Sequence, residues 1–119
     1  KGKWTPACGA AGVDTLLSRN ATFSALVASN DDMAIGAIKQ LHDKGLVVPS
    51  QVSVIGFDDI AMAPYTIPAL SSVKIPVTEM IQETIGRLIF MLDGGAFTPP
   101  KSFTGTLIRR DSVAPVTAQ

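Results

Sequence analysis

The most informative pattern in the sequence lies at residues 23–59, which read FSALVASNDDMAIGAIKQLHDKGLVVPSQVSVIGFDD. It opens with a nearly continuous apolar run at residues 23–28, which is typical of a strand buried on both faces. A helix begins after Asn30, with acidic residues at its positive dipole end, and stops at Gly45. Its apolar positions share one face: Ala34, Ala37, Ile38 and Leu41. Residues 52–57 are a second apolar strand, so the stretch predicts strand, helix, strand.

The alternation of strand and helix continues on both sides of this stretch. Upstream, a short extended start at residues 3–4 leads into a helix. That helix begins at Thr5 and Pro6, which suit an N-cap and a first turn, and it ends near Asn20. Downstream, residues 70–75 have strand character. Strands and helices that alternate over short connections are the signature of a parallel sheet covered by helices, so the sequence predicts the α/β class.

The remainder of the chain is less regular. Residues 60–68 contain two prolines and are predicted to form a surface loop. Residues 77–92 are predicted to form a helix whose apolar side chains extend beyond one face, so that this helix requires partners on more than one side. The prolines at 99–100 mark a linker, and residues 102–108 are predicted to form the last strand.

The composition excludes several classes of protein. The chain has 119 residues, 46% of them hydrophobic, which is enough to bury a core and rules out wholesale disorder. Ten basic and ten acidic residues give zero net charge, which disfavours a nucleic-acid-binding surface in this segment. The single cysteine cannot form an internal disulfide, and no apolar run is long enough to cross a membrane. Without an initiator Met or a signal-peptide pattern, the chain is interpreted as a piece of something longer.

Three polar or aromatic side chains follow the predicted strands: Trp4, Asn30 and Asp58. Ligands of open parallel sheets bind outside the carboxyl ends of the strands, so these side chains are candidates for one site. An indole can stack on the C–H face of a sugar, while an amide and a carboxylate hydrogen-bond to hydroxyl groups. Each residue also has a plain structural alternative: Trp4 in the core or at an interface, Asn30 or Asp31 as an N-cap, and Asp58 as a turn residue.

No catalytic set is apparent, so the chain is not expected to be an enzyme. A nucleophile would need a nearby base, and the only histidine, His42, is predicted to lie on the solvated side of a helix. The acids at residues 31–32 and 58–59 could in principle bind a cation or act as a glycosidase pair. Helix capping and hydroxyl binding explain them better. No metal and no cofactor are expected.

Five stretches resemble the LacI/GalR family of bacterial sugar-responsive repressors, in the family's order and spacing. They are LVASNDDMAIGA at residues 26–37, VP at 48–49, VSVIGFDD at 52–59, PALSSV at 68–73 and LIRRDS at 107–112. The resemblance covers essentially the whole chain. Within the family, the chain looks most like repressors of asc-type operons for β-glucosides such as arbutin, salicin and cellobiose.

The resemblance implies a particular place in a longer protein. The chain looks like the C-terminal part of a two-lobed effector domain of the type I periplasmic-binding-protein-like fold, a three-layer lobe with a parallel sheet. Residues 1–71 would belong to the C-terminal lobe, without its first strand and helix. Residues 72–101 would cross over and pack on the N-terminal lobe, and residues 102–119 would return. The DNA-binding helix-turn-helix of the family is not in this chain.

The resemblance also implies a site and partners. Trp4 would be a stacking platform for a sugar or glycoside effector, with or without a phosphate group, and Asn30 and Asp58 would hydrogen-bond to its hydroxyls. The implied protein is a cytoplasmic homodimer or higher oligomer that binds operator DNA through its N-terminal domain and does not contact membranes. The dimer contacts implied on this chain are Ile35, Ile38, Tyr65, Thr66 and Ile67. A periplasmic sugar-binding protein of a transporter, which shares the fold, remains the alternative.

Overall fold

A computed structural model describes residues 3–115 of the chain. Its α-helices are α1 (Pro6–Ser18), α2 (Asp31–Asp43) and α3 (Val77–Leu92), with one short 3-10 turn at Ala63–Tyr65. Its strands are β1 (Ala25–Val27), β2 (Ser53–Phe57), β3 (Ser71–Lys74) and β4 (Thr106–Ile108). They form one sheet in the order β1-β2-β3-β4, with β1, β2 and β3 parallel. The predicted α/β class is confirmed.

Two compact units make up the chain. Residues 3–74 and 107–115 form the first, and residues 75–106 form the second. In the first unit, α1 packs against α2, and α2 packs on β2. The core lies between these elements, and its most deeply buried apolar side chains are Val13, Ala34, Ala37, Leu41, Val52, Val54, Ala63 and Leu70. The stripe predicted for α2 is therefore confirmed as the buried face of that helix.

Local sequence signals set the helix ends largely as predicted. The N-cap residue of α1 is Thr5, with Pro6 in the first turn, and the chain leaves this helix at Asn20 with a φ of 52°. The N-cap of α2 is Asn30, and Gly45 follows that helix with a φ of 77°. Both residues after the helices adopt the left-handed conformation that asparagine and glycine tolerate best.

Three strand predictions need correction. Residues 3–4 are not a strand, because the Lys3 amide donates to Cys8 Sγ and the chain turns into α1. β1 is shorter than residues 23–28 and is not buried on both faces: Val27 is 80% exposed. The physical reason is position, since α2 packs on β2 whereas β1 lies at the edge of the sheet. The last strand covers only the end of the predicted segment 102–108.

The second unit contains α3 and the segment after it. No residue of α3 is buried, and its exposed apolar side chains include Ile81, Ile85, Leu88 and Leu92. The Arg87 guanidinium donates to Glu83 Oε1 at 2.7 Å and to the Pro99 carbonyl at 2.6 Å. The second bond connects the segment after α3 to the helix. That residues 72–101 pack on another lobe stays a prediction. Within residues 3–115, no helix combines the length and apolar character that spanning a membrane would require.

Candidate functional site

The carboxyl ends of β1 and β2 place Asn30 and Asp58 on the same edge of the sheet. The two strands are parallel and adjacent, and Val27 pairs with Ile55 in the register. Asn30 and Asp58 each follow their member of that pair by three residues. The edge is therefore built as the sequence predicts, with an amide and a carboxylate after neighbouring strands.

Close packing of two helices brings the start of α1 to the start of α2. A Cβ on Gly9 would lie 1.9 Å from the Met33 carbonyl oxygen, and a Cβ on Gly36 would lie 1.8 Å from the Pro6 carbonyl oxygen. Only glycine allows such backbone contact, so both glycines are required where the helices cross. Further along both helices, Gln40 Nε2 donates to Asp14 Oδ1 at 2.8 Å, so the two helices run in the same general direction. Trp4 precedes α1 and Asn30 caps α2, and these two residues therefore lie at the same end of the helix pair.

The indole of Trp4 is available to a ligand, because 67% of the residue is exposed. The chain on either side of it is tied to α1: the Lys3 amide donates to Cys8 Sγ at 3.2 Å, and the Cys8 amide donates to the Thr5 carbonyl at 3.0 Å. Hydrogen bonds from Thr5 and Lys3 also lower the pKa of the Cys8 thiol below its usual value. The alternative of a Trp4 buried in the core is wrong for this unit.

Asn30 has the capping role that one of its alternatives predicts. Its Oδ1 accepts a hydrogen bond from the Met33 amide at 2.9 Å, and this bond fixes the orientation of the side chain. Within the described residues its Nδ2 group makes no hydrogen bond, so two donors remain available at the sheet edge. Capping and ligand binding are thus compatible for this residue.

Asp58 is exposed at the end of β2 in an unusual backbone conformation. Its φ is 105°, and its amide donates to the Val73 carbonyl at 2.9 Å. Within the described residues its carboxylate accepts no hydrogen bond. Desolvation raises the pKa of the Asp58 carboxyl above its usual value, and the charges of Asp31 and Asp32 raise it further. A hydroxyl donor at this position would satisfy an otherwise unfavourable charge.

The neighbouring acids have structural partners instead. Asp31 is fully buried and accepts hydrogen bonds from Ser72 Oγ and from the Ile60 amide. Asp59 pairs with Arg110 at 2.7 Å. Residues 3–115 contain no group of three His, Cys, Asp or Glu side chains that could hold a metal ion. These partners account for Asp31 and Asp59 without a cation or a catalytic role.

Sequence reasoning did not identify Ser72 as a partner of Asp31, and it allowed Arg110 to pair with acids without identifying Asp59. Ser72 lies 41 residues from Asp31, and Arg110 lies 51 residues from Asp59, so no local spacing connects them. Another buried hydroxyl, Ser112, bridges β2 and β3: it donates to the Val54 carbonyl at 2.6 Å and accepts from the Ser71 amide at 2.8 Å. The signal for Ser71 and Ser72 was the presence of two serines in an otherwise apolar run, and Ser112 lies outside the strands.

The residues expected at a dimer interface gather around one open cavity of about 590 Å³. Ile35, Ile38, Thr66 and Ile67 line this cavity together with Lys39, His42, Leu46, Val47, Val48 and Pro68. Ile67 is 95% exposed and the adjacent Tyr65 is 79% exposed. The side chain of His42 is 89% exposed, as predicted. Helix α2 and the loop after β2 therefore form one largely apolar surface.

Known proteins match this chain along most of its length. A family model described as a periplasmic binding protein-like domain matches residues 3–113. The transcriptional regulator AscG of Escherichia coli K12 is 80% identical over 112 residues, which are 94% of this chain and 33% of that protein. The regulator GalS of Salmonella typhimurium LT2 is 43% identical over 83% of this chain and 29% of its own length.

Solved structures agree with these sequence relatives. One is a sugar-binding transcriptional regulator of the LacI family from Escherichia coli, complexed with phosphate. It superposes with a TM-score of 0.87 and is 79% identical, over 96% of this chain and 41% of that one.

The chain thus spans about a third of AscG and two fifths of the solved regulator. All of these relatives are regulators, which favours a regulator over the transporter alternative. The chain belongs to the periplasmic binding protein-like family, on the branch formed by the LacI/GalR transcriptional regulators.

Proposed function

We propose that this chain is the effector-binding and dimerisation part of a bacterial transcriptional repressor that controls a carbohydrate-utilisation operon. The observation that carries the proposal is the sheet edge. There Asn30 and Asp58 follow adjacent parallel strands, and Trp4 lies at the same end of the helix pair as Asn30. The relatives, a sugar-binding regulator among them, support the same function.

A sugar or glycoside is the ligand whose chemistry matches this edge. The exposed indole of Trp4 offers a flat apolar surface to the C–H face of a pyranose ring, and such stacking contributes about 0.5–1.5 kcal/mol beyond area burial. Asp58 accepts hydrogen bonds from ring hydroxyls, and bonds to a charged acceptor contribute about 1.5–3 kcal/mol each. Asn30 Nδ2 donates to a further hydroxyl oxygen.

The charge of the edge constrains which end of an effector binds here. Asp31 and Asp32 already raise the pKa of Asp58, so the local potential is negative. A phosphate group placed against Asp58 would add a like charge and lose affinity. The effector therefore presents its neutral hydroxyls to this chain. Any phosphate it carries lies away from Asp58.

Regulation follows from differential binding. An effector that contacts two lobes stabilises the lobe arrangement in which it binds more tightly, and coupling of about 1–3 kcal/mol is enough to change operator affinity markedly. Operator DNA is bound by the N-terminal domain of the intact protein. The protein acts in the cytoplasm, because the operator lies there. Because the relatives are regulators, we expect the protein to sense the bound sugar without hydrolysing it.

A second copy of the chain is proposed to cover the surface around the 590 Å³ cavity. Burying a side chain as exposed as Ile67 contributes about 1.5–3 kcal/mol. In a two-fold interface that gain occurs twice. The loop bearing Tyr65 to Ile67 and the middle of α2 then form a self-complementary contact.

A thermal-shift screen of the intact protein tests the effector assignment. The probes are salicin, arbutin, cellobiose and their phosphate esters, each added at rising concentration. A binding sugar at 100 times its Kd stabilises the native state by about 2.7 kcal/mol. Asp58→Ala should remove the shift and the sugar-induced release from operator DNA, while operator binding itself persists. Asp43→Ala, at the far end of α2, is the matched control and should behave as wild type. A shift that survives Asp58→Ala would contradict the proposal.

A further inference from the structure

The turn that carries Asp58 is strained. Asp58 and Asp59 are consecutive non-glycine residues with positive φ values, 105° and 53°. This conformation is unfavourable for residues other than glycine, and it persists only where its surroundings hold it. The contacts that hold residues 58–60 therefore decide where the Asp58 carboxylate points.

Three successive backbone amides of this turn are hydrogen-bonded to three different groups. The Asp58 amide donates to the Val73 carbonyl, and the Asp59 amide donates to Ser72 Oγ at 3.0 Å. The Ile60 amide donates to Asp31 Oδ2 at 2.8 Å. Only the first of these bonds continues the β2–β3 pairing. The other two depend on side chains.

Asp31 is the residue on which both side-chain contacts depend. Its Oδ1 accepts a 2.6 Å hydrogen bond from Ser72 Oγ, the same oxygen that accepts from the Asp59 amide, while its Oδ2 holds Ile60. Bonds to a carboxylate are about twice as strong as those between neutral groups. Asp31 thus anchors the turn directly at Ile60 and, through Ser72, at the preceding residue Asp59.

Asp31 acts from inside the protein, beneath the turn. Both Asp31 and Ser72 are completely buried, so neither can touch an effector. Gly56 makes the space: a Cβ there would lie 2.0 Å from Asp31 Oδ1. On the other side, Arg110 holds the Asp59 carboxylate at 2.7 Å. The turn is therefore held by the buried carboxylate of Asp31 and, through the side chain of Asp59, by Arg110.

We propose that Asp31, acting through Ser72 and the Ile60 amide, is a positioning residue that holds the turn of residues 58–60 in the conformation that presents Asp58 to the effector. The inference rests on the proposed function for the identity of the ligand. The mechanics of the turn are independent of the proposed function. When the turn is loosened, only a fraction of molecules is competent to bind, and the apparent Kd rises in proportion.

Two substitutions in the intact protein test the inference against one matched control. Ser72→Ala removes the bridging hydroxyl, and Asp31→Asn keeps the shape but has one acceptor oxygen where the carboxylate has two. Ser112→Ala is the control, because it also removes a fully buried hydroxyl with two hydrogen bonds, but at the Val54 carbonyl and the Ser71 amide. All three variants lose stability, so a loss of stability alone does not distinguish them.

Hydrogen exchange of the Asp59 and Ile60 amides is the first measurement. It should accelerate at least about tenfold in Ser72→Ala and remain at its wild-type rate in Ser112→Ala. Calorimetric titration with salicin is the second, with at least about a tenfold increase in Kd for Ser72→Ala and Asp31→Asn and less than a twofold change for Ser112→Ala.

Two results would overturn the inference: unchanged exchange at the turn in both test variants, or faster exchange with unchanged salicin affinity. A wild-type protein that binds neither salicin nor the other sugars, but whose turn opens as expected in Ser72→Ala, would instead refute the proposed function and support the positioning role.

Discussion

Replacing Gly9 by alanine tests the helix contact that brings Trp4 to the same end of the molecule as Asn30. A Cβ at Gly9 would lie 1.9 Å from the Met33 carbonyl oxygen and 2.7 Å from its carbonyl carbon. Gly12, on the same helix, has no atom within 4 Å of the equivalent Cβ. The two Gly→Ala changes are chemically identical. They differ only in whether the added methyl group has room.

The size of the effect follows from the geometry. Ordinary contact with a Cβ begins near 3.4 Å, so α1 and α2 would have to separate by about 1.5 Å at Gly9. The obstructing atoms are backbone, and no flexible side chain can yield. Overpacking costs about 1–3 kcal/mol, and we expect the upper end of that range. Gly12→Ala instead stabilises an exposed helix position by about 0.5–1 kcal/mol, so the variants should differ by about 3–4 kcal/mol.

Urea unfolding of the intact protein, followed by circular dichroism, measures this difference as a shift between the two midpoints. Gly9→Ala should also weaken sugar binding, because displacing α1 moves Trp4 relative to Asn30. Gly12→Ala should bind as wild type. A Gly9→Ala protein as stable as Gly12→Ala would refute the close contact, and with it the argument that places the indole at this edge.

Three further outcomes are expected. Asp58→Asn should raise the unfolding midpoint at pH 7, because the folded protein raises the pKa of this carboxyl above 3.8 and so disfavours its charge. The gain should shrink as the pH falls through the raised pKa, and a pH-independent gain would contradict this cause. Arg110→Met should lower the free energy of unfolding, measured by a thermal melt, by about 3 kcal/mol, because it leaves Asp59 without its ion-pair partner. Arg109→Met, at the exposed neighbouring residue, should lower it by under about 0.5 kcal/mol. Ile67→Lys should weaken self-association more than about tenfold in sedimentation equilibrium, with Met62→Lys as control, and an unchanged dimer would remove this surface from the interface.

Sequence periodicity was sufficient to predict which face of α2 is buried. The stripe of α2 from Ala34 to Leu41 is buried as its 3.6-residue spacing predicts, and Asn30 and Gly45 bound that helix as capping rules require. Periodicity failed for β1, where apolar residues alone could not distinguish a central strand from an edge strand. Val27 is apolar and largely exposed, because sheet order is a property of the whole chain.

The exposed half of the site was predictable for a different reason. In a parallel sheet the residues after the strands converge on one edge, so Asn30 and Asp58 could be located from strand order alone. Their supports could not, because Ser72 and Arg110 reach the turn across 41 and 51 residues of chain. Sequence thus reveals which side chains face a ligand more readily than which side chains hold them in place.

The energetic character of the edge connects these observations. Asp58 combines a strained backbone with a carboxylate whose charge is disfavoured by desolvation and by the charges of Asp31 and Asp32. Both features cost stability. If Asp58 served only as a turn residue, a substitution could remove both costs without any loss of function. A ligand hydroxyl that donates to Asp58 recovers part of the cost of its charge in the bound state alone, so this cost favours the bound state over the free one. The buried Asp31 therefore serves two ends with one carboxylate: it holds the turn through two hydrogen bonds, and its charge makes the exposed acid above it more favourable to bind than to leave free.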